Sequence, residues 1–175
     1  MAVETEIQLI GGDKAVKVLG SLKNNIIDLR KPFNYILIYL QGRFSETFRK
    51  GGEKAWKPNS PVTTAIKGSS KPLHQDGYLK RSLTGPGRGS YTNVTTKKLE
   101  FGTTLHYAKY VEEGRTGVKV SPEFRKFVAA KTGYILGSTV TIPPRPFLYF
   151  IPKDTKKIEQ ILTLYFNQLI SKEAS

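Results

Sequence analysis

Cysteine is absent from this chain, and other metal-binding or reactive side chains are scarce: 175 residues hold two His, one Trp and one Met. Without thiols there are no disulfides and no thiolate metal sites. His74 has only Asp76 close by in sequence, and His106 only Glu112 and Glu113, so neither gains a third ligand or a nucleophile at a recognisable spacing. These shortages predict a protein that is not an enzyme and carries no metal and no cofactor, with both histidines in turn or surface roles. Long apolar runs are lacking too. The longest is the six residues Tyr35 to Leu40, far short of a bilayer span. Met1 to Glu6 has neither the basic start nor the apolar segment of a secretory signal. The expectation is a soluble chain made and used inside a cell, or inside a particle assembled there, without membrane contact.

Acid is the remaining shortage. Fourteen Asp and Glu face 28 Lys and Arg, a net charge of +14. Such a field favours polyanions or acidic protein surfaces and speeds encounter with them, and it says nothing about fold. The excess is uneven. Between residues 43 and 90, Arg43, Arg49, Lys50, Lys54, Lys57, Lys67, Lys71, Lys80, Arg81 and Arg88 stand against Glu46, Glu53 and Asp76, a surplus of seven in about a quarter of the chain.

What is present reads as one domain over 1–175, large enough to bury a core. Val3, Thr5, Ile7 and Leu9 alternate with polar neighbours before Gly11-Gly12, which predicts a first strand. Asp13 then precedes Val16, Leu19, Leu22 and Ile26 at helical spacing. After Pro32, Phe33, Ile36, Leu37, Leu40, Phe44 and Phe48 recur at three and four until Gly51-Gly52, so either two helices meet at Lys31-Pro32 or one long helix kinks there. Residues 50–76 hold no sustained apolar period and predict a long loop, mobile in the free subunit. Tyr78 to Leu83, Tyr91 to Thr96 and Lys98 to Thr103 read as strands, with Gly85-Pro86-Gly87-Arg88-Gly89 as a hairpin tip; that tip lacks the Gly-Lys-Ser/Thr ending of a phosphate loop. Leu105 to Val111 predicts a helical turn ending at Gly114. A second excursion, 115–139, contains a short helix near Pro122 to Lys131, and Val140 to Ile142 return to the sheet. Asp154 is placed to cap a last helix whose Ile158, Ile161, Leu162, Tyr165 and Leu169 form one apolar face. The fold class is α+β: a small, mostly antiparallel sheet packed against a long N-terminal helix and a C-terminal helix, with long loops.

Three prolines in four positions make Ile142-Pro143-Pro144-Arg145-Pro146-Phe147-Leu148 a rigid extended connector, because each proline fixes φ and removes a donor. Ahead of it come Gly52-Glu53-Lys54-Ala55-Trp56-Lys57-Pro58, then Gly77-Tyr78-Leu79-Lys80-Arg81-Ser82, then Tyr107-Ala108 with Gly114 six residues beyond the alanine. This ordered set, from about Phe44 to Phe150, resembles the phage virion morphogenesis family, the tail-completion or neck proteins of tailed bacteriophages. That family's pattern has a long N-terminal helix, a Trp-x-Pro loop, a Gly-x-Leu-x-x-Ser segment, Tyr-Ala-x-x-x-x-x-Gly and a closing Pro-x-Arg-Pro-Phe-Leu before the last helix. The resemblance implies the same α+β architecture and a structural virion protein at the head-tail junction, assembled in the host cytoplasm. It further implies a ring, most often hexameric, that lines the DNA channel and joins the portal or its adaptor to the tail terminator or tube.

Two groups of residues are candidates for contact. Trp56, Pro58, Tyr107, Pro144, Arg145, Pro146, Phe147 and Phe150 are candidates for the subunit interface, Arg145 having the fork geometry that pairs a neighbour's carboxylate. Trp56 fits an internal anchor, an interface hot spot or, less well, a stacking platform, and the proline run fits a plain strand terminator. Arg43, Arg49, Lys50, Lys54, Lys57, Arg81 and Arg88 are candidates for non-specific contact with channel DNA or with an acidic protein partner; a solvated face is the bland alternative. A stand-alone basic nucleic-acid-binding protein is the competing function, distinguished by strong, salt-sensitive binding to duplex DNA in solution.

Overall fold

The structure, a computed structural model, describes residues 28–73 and 76–173. Among these residues the architecture is α+β, with six helices and two two-stranded antiparallel sheets in place of the single sheet expected. In chain order the elements are α1 (Arg30–Lys50), α2 (Pro61–Lys67), α3 (Tyr78–Thr84), β1 (Ser90–Val94), β2 (Leu99–Thr103), α4 (Ala108–Glu113), β3 (Arg115–Lys119), α5 (Pro122–Thr132), β4 (Thr139–Ile142) and α6 (Pro152–Glu173). The first strand and the helix after Asp13 expected from the sequence lie outside the described residues, as does His74. The described chain forms two compact units. One is built from Gln41–Ser90 and Thr103–Tyr149, the other from 28–40, Tyr91–Gly102 and 150–173.

The long helix begins at Arg30, so Pro32 sits in its first turn, where the missing N–H has no intrahelical acceptor to lose, and it does not kink the helix. Phe33, Ile36, Leu40, Phe44 and Thr47 are all buried, at spacings of three and four. Thr47 ends the helix by accepting from the amides of Gly51 (3.0 Å) and Gly52 (2.9 Å). In the unit that holds residues 28–40, Phe33, Ile36 and Leu40 are buried together with Leu99 and Phe101 of β2 and Ile158 of α6. Each such side chain contributes about 1.5–3 kcal/mol when taken out of water. Tyr165 donates to the Asp28 carbonyl at 2.8 Å.

Asp154 is fully buried inside the first turn of α6, two residues past its start, and is not the cap itself. One carboxylate oxygen accepts from the amide of Ile151 (2.9 Å) and the other from the Tyr39 hydroxyl (2.8 Å). This is the reach-back half of a capping box, at the helix end where negative charge is favoured.

In the other unit, the segment expected to be a strand from Tyr78 is the helix α3. Leu79, Ser82 and Leu83 are buried at helical spacing, and Ser82 donates to Thr103 Oγ1 at 2.9 Å while α3 packs. The long loop at 50–76 is also partly ordered. Ser60 caps α2 through the amide of Thr63 (3.2 Å), Pro61 occupies its first turn, and Gly68 closes it at φ 70° with its N–H on Thr64 O. The Asn59 side-chain amide bonds the carbonyls of Ser69 and Lys71, which staples the excursion at its base. In the second excursion, β3 and β4 pair antiparallel with Arg115 opposite Ile142 and Lys119 opposite Thr139. A bulge falls between Arg115 and Val118, where Gly117 has φ 65°. Helix α5 begins at Pro122, behind a Ser121 cap.

Candidate functional site

Three of the four segments quoted from the sequence, around Trp56, Gly114 and Arg145, meet in one cluster. Trp56 is buried, and its indole N–H donates to the Pro146 carbonyl at 2.8 Å. Phe48 of α1 packs edge-on to Trp56 (centroids 5.5 Å apart) and tilted against Phe147 (5.8 Å). Gly52 is required here. At φ 97° it lies so close to Trp56 that a Cβ would stand 2.6 Å from the indole nitrogen.

Arg145 is 9% exposed, and its guanidinium turns inward, donating to Lys57 O (3.2 Å), Pro58 O (3.4 Å) and Asn59 Oδ1 (3.4 Å). Burial pulls this guanidinium below its ordinary pKa, and the neutral oxygens around it take up its donors. Its own amide donates to Val111 O at 2.8 Å. Glu112 then accepts from two successive amides, Phe147 at 2.8 Å and Leu148 at 3.2 Å. Gly114, φ 73°, faces Pro144 so closely that a Cβ would lie 2.7 Å from its nitrogen and 2.9 Å from Ile142 O. Thus Gly52 belongs with Trp56, Gly114 with Pro144, and Arg145 with the Trp-x-Pro loop.

This geometry changes the reading of the interface candidates. Trp56, Arg145 and Phe147 are buried in their own unit, and Nε and Nη2 of Arg145 donate to oxygens within it. Pro58, Pro144, Pro146 and Phe150 remain exposed, and Tyr107 is half-buried. The Tyr107 phenol is raised above its ordinary pKa, first by burial and then by the Asp76 carboxylate, with Arg88 opposing.

The basic candidates separate as well. Arg43 is structural: it bonds Thr47 Oγ1 (2.7 Å) and Tyr149 O (3.0 Å) and lies 4.4 Å from the centre of the Tyr149 ring. Arg49 and Lys50 pair with Glu46 one turn back, at 3.6 and 2.8 Å. Lys54 and Lys57 are exposed. Arg81 and Arg88, also exposed, share a tyrosine: their guanidinium carbons lie 5.1 and 5.6 Å from the centre of the Tyr78 ring. Sequence reasoning missed Tyr78 because it placed that residue on a strand.

His106 is exposed and stacks edge-on to Tyr107 at 5.6 Å. Among the described residues no group of three or more His, Asp or Glu is arranged to hold a metal, and no described helix is long and apolar enough to cross a membrane. Comparisons with protein-family models, with curated proteins and with solved structures find no match.

Proposed function

We propose that this protein is a structural component of a tailed-phage virion, a neck or tail-completion subunit that works in a ring at the head-tail junction. The observation that carries the reading is the convergence just described. Segments 35 to 90 residues apart in sequence, which resemble the family's motifs in order, form one hydrogen-bonded clasp through Trp56–Pro146, Arg145–Pro58 and Glu112–Phe147. A set of motifs that serves a single structural purpose is better support for a shared architecture than the same residues scattered at random. The clasp fixes a stiff proline segment and the base of the α2 excursion, the kind of rigid body from which docking surfaces project. The positive charge suits a channel that carries nucleic acid or an acidic neighbouring ring.

In this reading the chain makes and breaks no bonds. Its partners are copies of itself, the portal or adaptor on one side and the tail terminator or tube on the other. Deletion from the phage genome tests it: filled heads and finished tails that fail to join, or joined particles that leak DNA, are expected. Infectious particles produced normally without the protein would reject it.

A further inference from the structure

We propose that Arg81 and Arg88, arrayed on the ring of Tyr78 at the turn between α3 and β1, form a phosphate clamp for the backbone of duplex DNA. Arg49, Lys50, Lys98 and Arg30 each face a carboxylate, and Arg43 and Arg145 point at oxygens within their own unit. Arg81 instead donates to the main-chain carbonyl of Asp76 at 2.6 Å, which orients it and leaves its charge intact. Arg88 makes no hydrogen bond and no ion pair to any described residue. Two exposed guanidiniums, neither in an ion pair with a described carboxylate, thus lie beside one ring.

The backbone that presents Arg88 is locked. Ser90 Oγ donates to Gly85 O (2.7 Å), the Ser90 amide to Gly87 O (3.0 Å), and the Thr104 amide to Gly89 O (2.8 Å). Gly89, φ 80°, sits against Leu105, where a Cβ would come within 2.5 Å of Cγ. The backbone that carries Arg88, and the Arg81 guanidinium held on the Asp76 carbonyl, therefore lose little freedom on meeting a ligand, which is where preorganisation contributes to affinity. A guanidinium fork matches phosphate oxygens, and a strand of duplex DNA offers a phosphate about every 3.4 Å of axis, so neighbouring phosphates reach both groups. Contacts of this kind position a duplex without reading its sequence. Asp76 is the opposing charge nearby, and it sets a sign: its removal strengthens anion binding.

The clamp deepens the channel-lining part of the neck reading and rests on it; salt-sensitive duplex binding is shared with a stand-alone DNA-binding protein, from which the deletion phenotype distinguishes it. The test uses the free full-length chain and a short fluorescent duplex of mixed sequence, titrated across salt. Arg81→Gln/Arg88→Gln is expected to weaken binding roughly tenfold and to flatten the logarithmic salt slope by about 1.8, two phosphates' worth. Asp76→Asn is expected to tighten it, and Lys54→Gln/Lys57→Gln, an equal loss of charge elsewhere in the unit, to leave the slope nearly unchanged. Arg88→Gln alone serves if the double variant is unstable. Equal losses from the arginine and lysine pairs, an unchanged slope, or displacement of the duplex by polyglutamate of matched charge would each overturn the clamp; the last would point to an acidic protein. Failure here leaves the deletion phenotype untouched, and normal particles without the protein would leave the titration untouched.

Discussion

Arg145 and Arg88 belong to the same unit and are the same side chain, yet their surroundings are opposite. Arg145 is withdrawn from solvent and joins the proline segment to the loop around Pro58 through three acceptors. Arg88 is exposed, rests on Tyr78 and bonds to nothing among the described residues. Removing the first leaves three oxygens of the Pro58 loop without their donor, and removing the second leaves no acceptor unpaired. Positive charge in this chain is therefore of two kinds, and a residue count merges them: one kind holds the fold, and the other is available for something else.

Substitutions sharpen that contrast. The largest effect is expected inside the clasp, at Phe147, 1% exposed and in contact with Phe48; Phe147→Ala is expected to cost about 3–5 kcal/mol, read from urea unfolding. Arg145→Ala comes next, at about 1–3 kcal/mol for the oxygens left unpaired, and Arg145→Lys is expected not to restore the loss because a single ammonium cannot span the three acceptors. Full recovery by lysine would show that charge and not the fork matters there. Asp28 supplies a smaller, pH-gated effect. Its hydrogen bonds and ion pair with Arg30 lower its pKa from 3.8 to about 2, so its contribution is complete above the ordinary value and is lost as pH falls toward about 2. Asp28→Asn is expected to lower the melting temperature slightly near neutrality and to converge with the unsubstituted chain as pH falls through that window toward about 2. Smallest of all, Arg88→Gln is expected to alter stability by no more than about 0.5 kcal/mol, and a larger loss by calorimetry would place Arg88 with the structural cations.

Much of the fold was legible because local periodicity carried it. The run from Phe33 to Phe48 announced α1, Gly51-Gly52 its end, Pro122 the start of α5, and Gly114 the end of α4. Tyr78 to Leu83 was misread because six residues fit both periods, and only the burial of Leu79, Ser82 and Leu83 decides for helix. Helix α2 had its local signs, Ser60 before Pro61 and Gly68 at the end, but no apolar stripe drew attention to them. The candidate site was half legible. The motif residues could be picked out, but bonds such as Arg145 to Lys57 span 88 positions and depend on tertiary packing that no local pattern encodes. Hence Arg145 and Phe147, candidates for an interface, are buried in their own unit, as is Trp56, for which an internal anchor was one of the readings.

The proline run after β4 also shields the molecule against its own copies. Pro143, Pro144 and Pro146 have no N–H, that of Arg145 is given to Val111, and those of Phe147 and Leu148 are given to Glu112. A foreign strand laid alongside this stretch would find no main-chain donor to zip onto, so copies of the chain cannot fuse into a shared ribbon there.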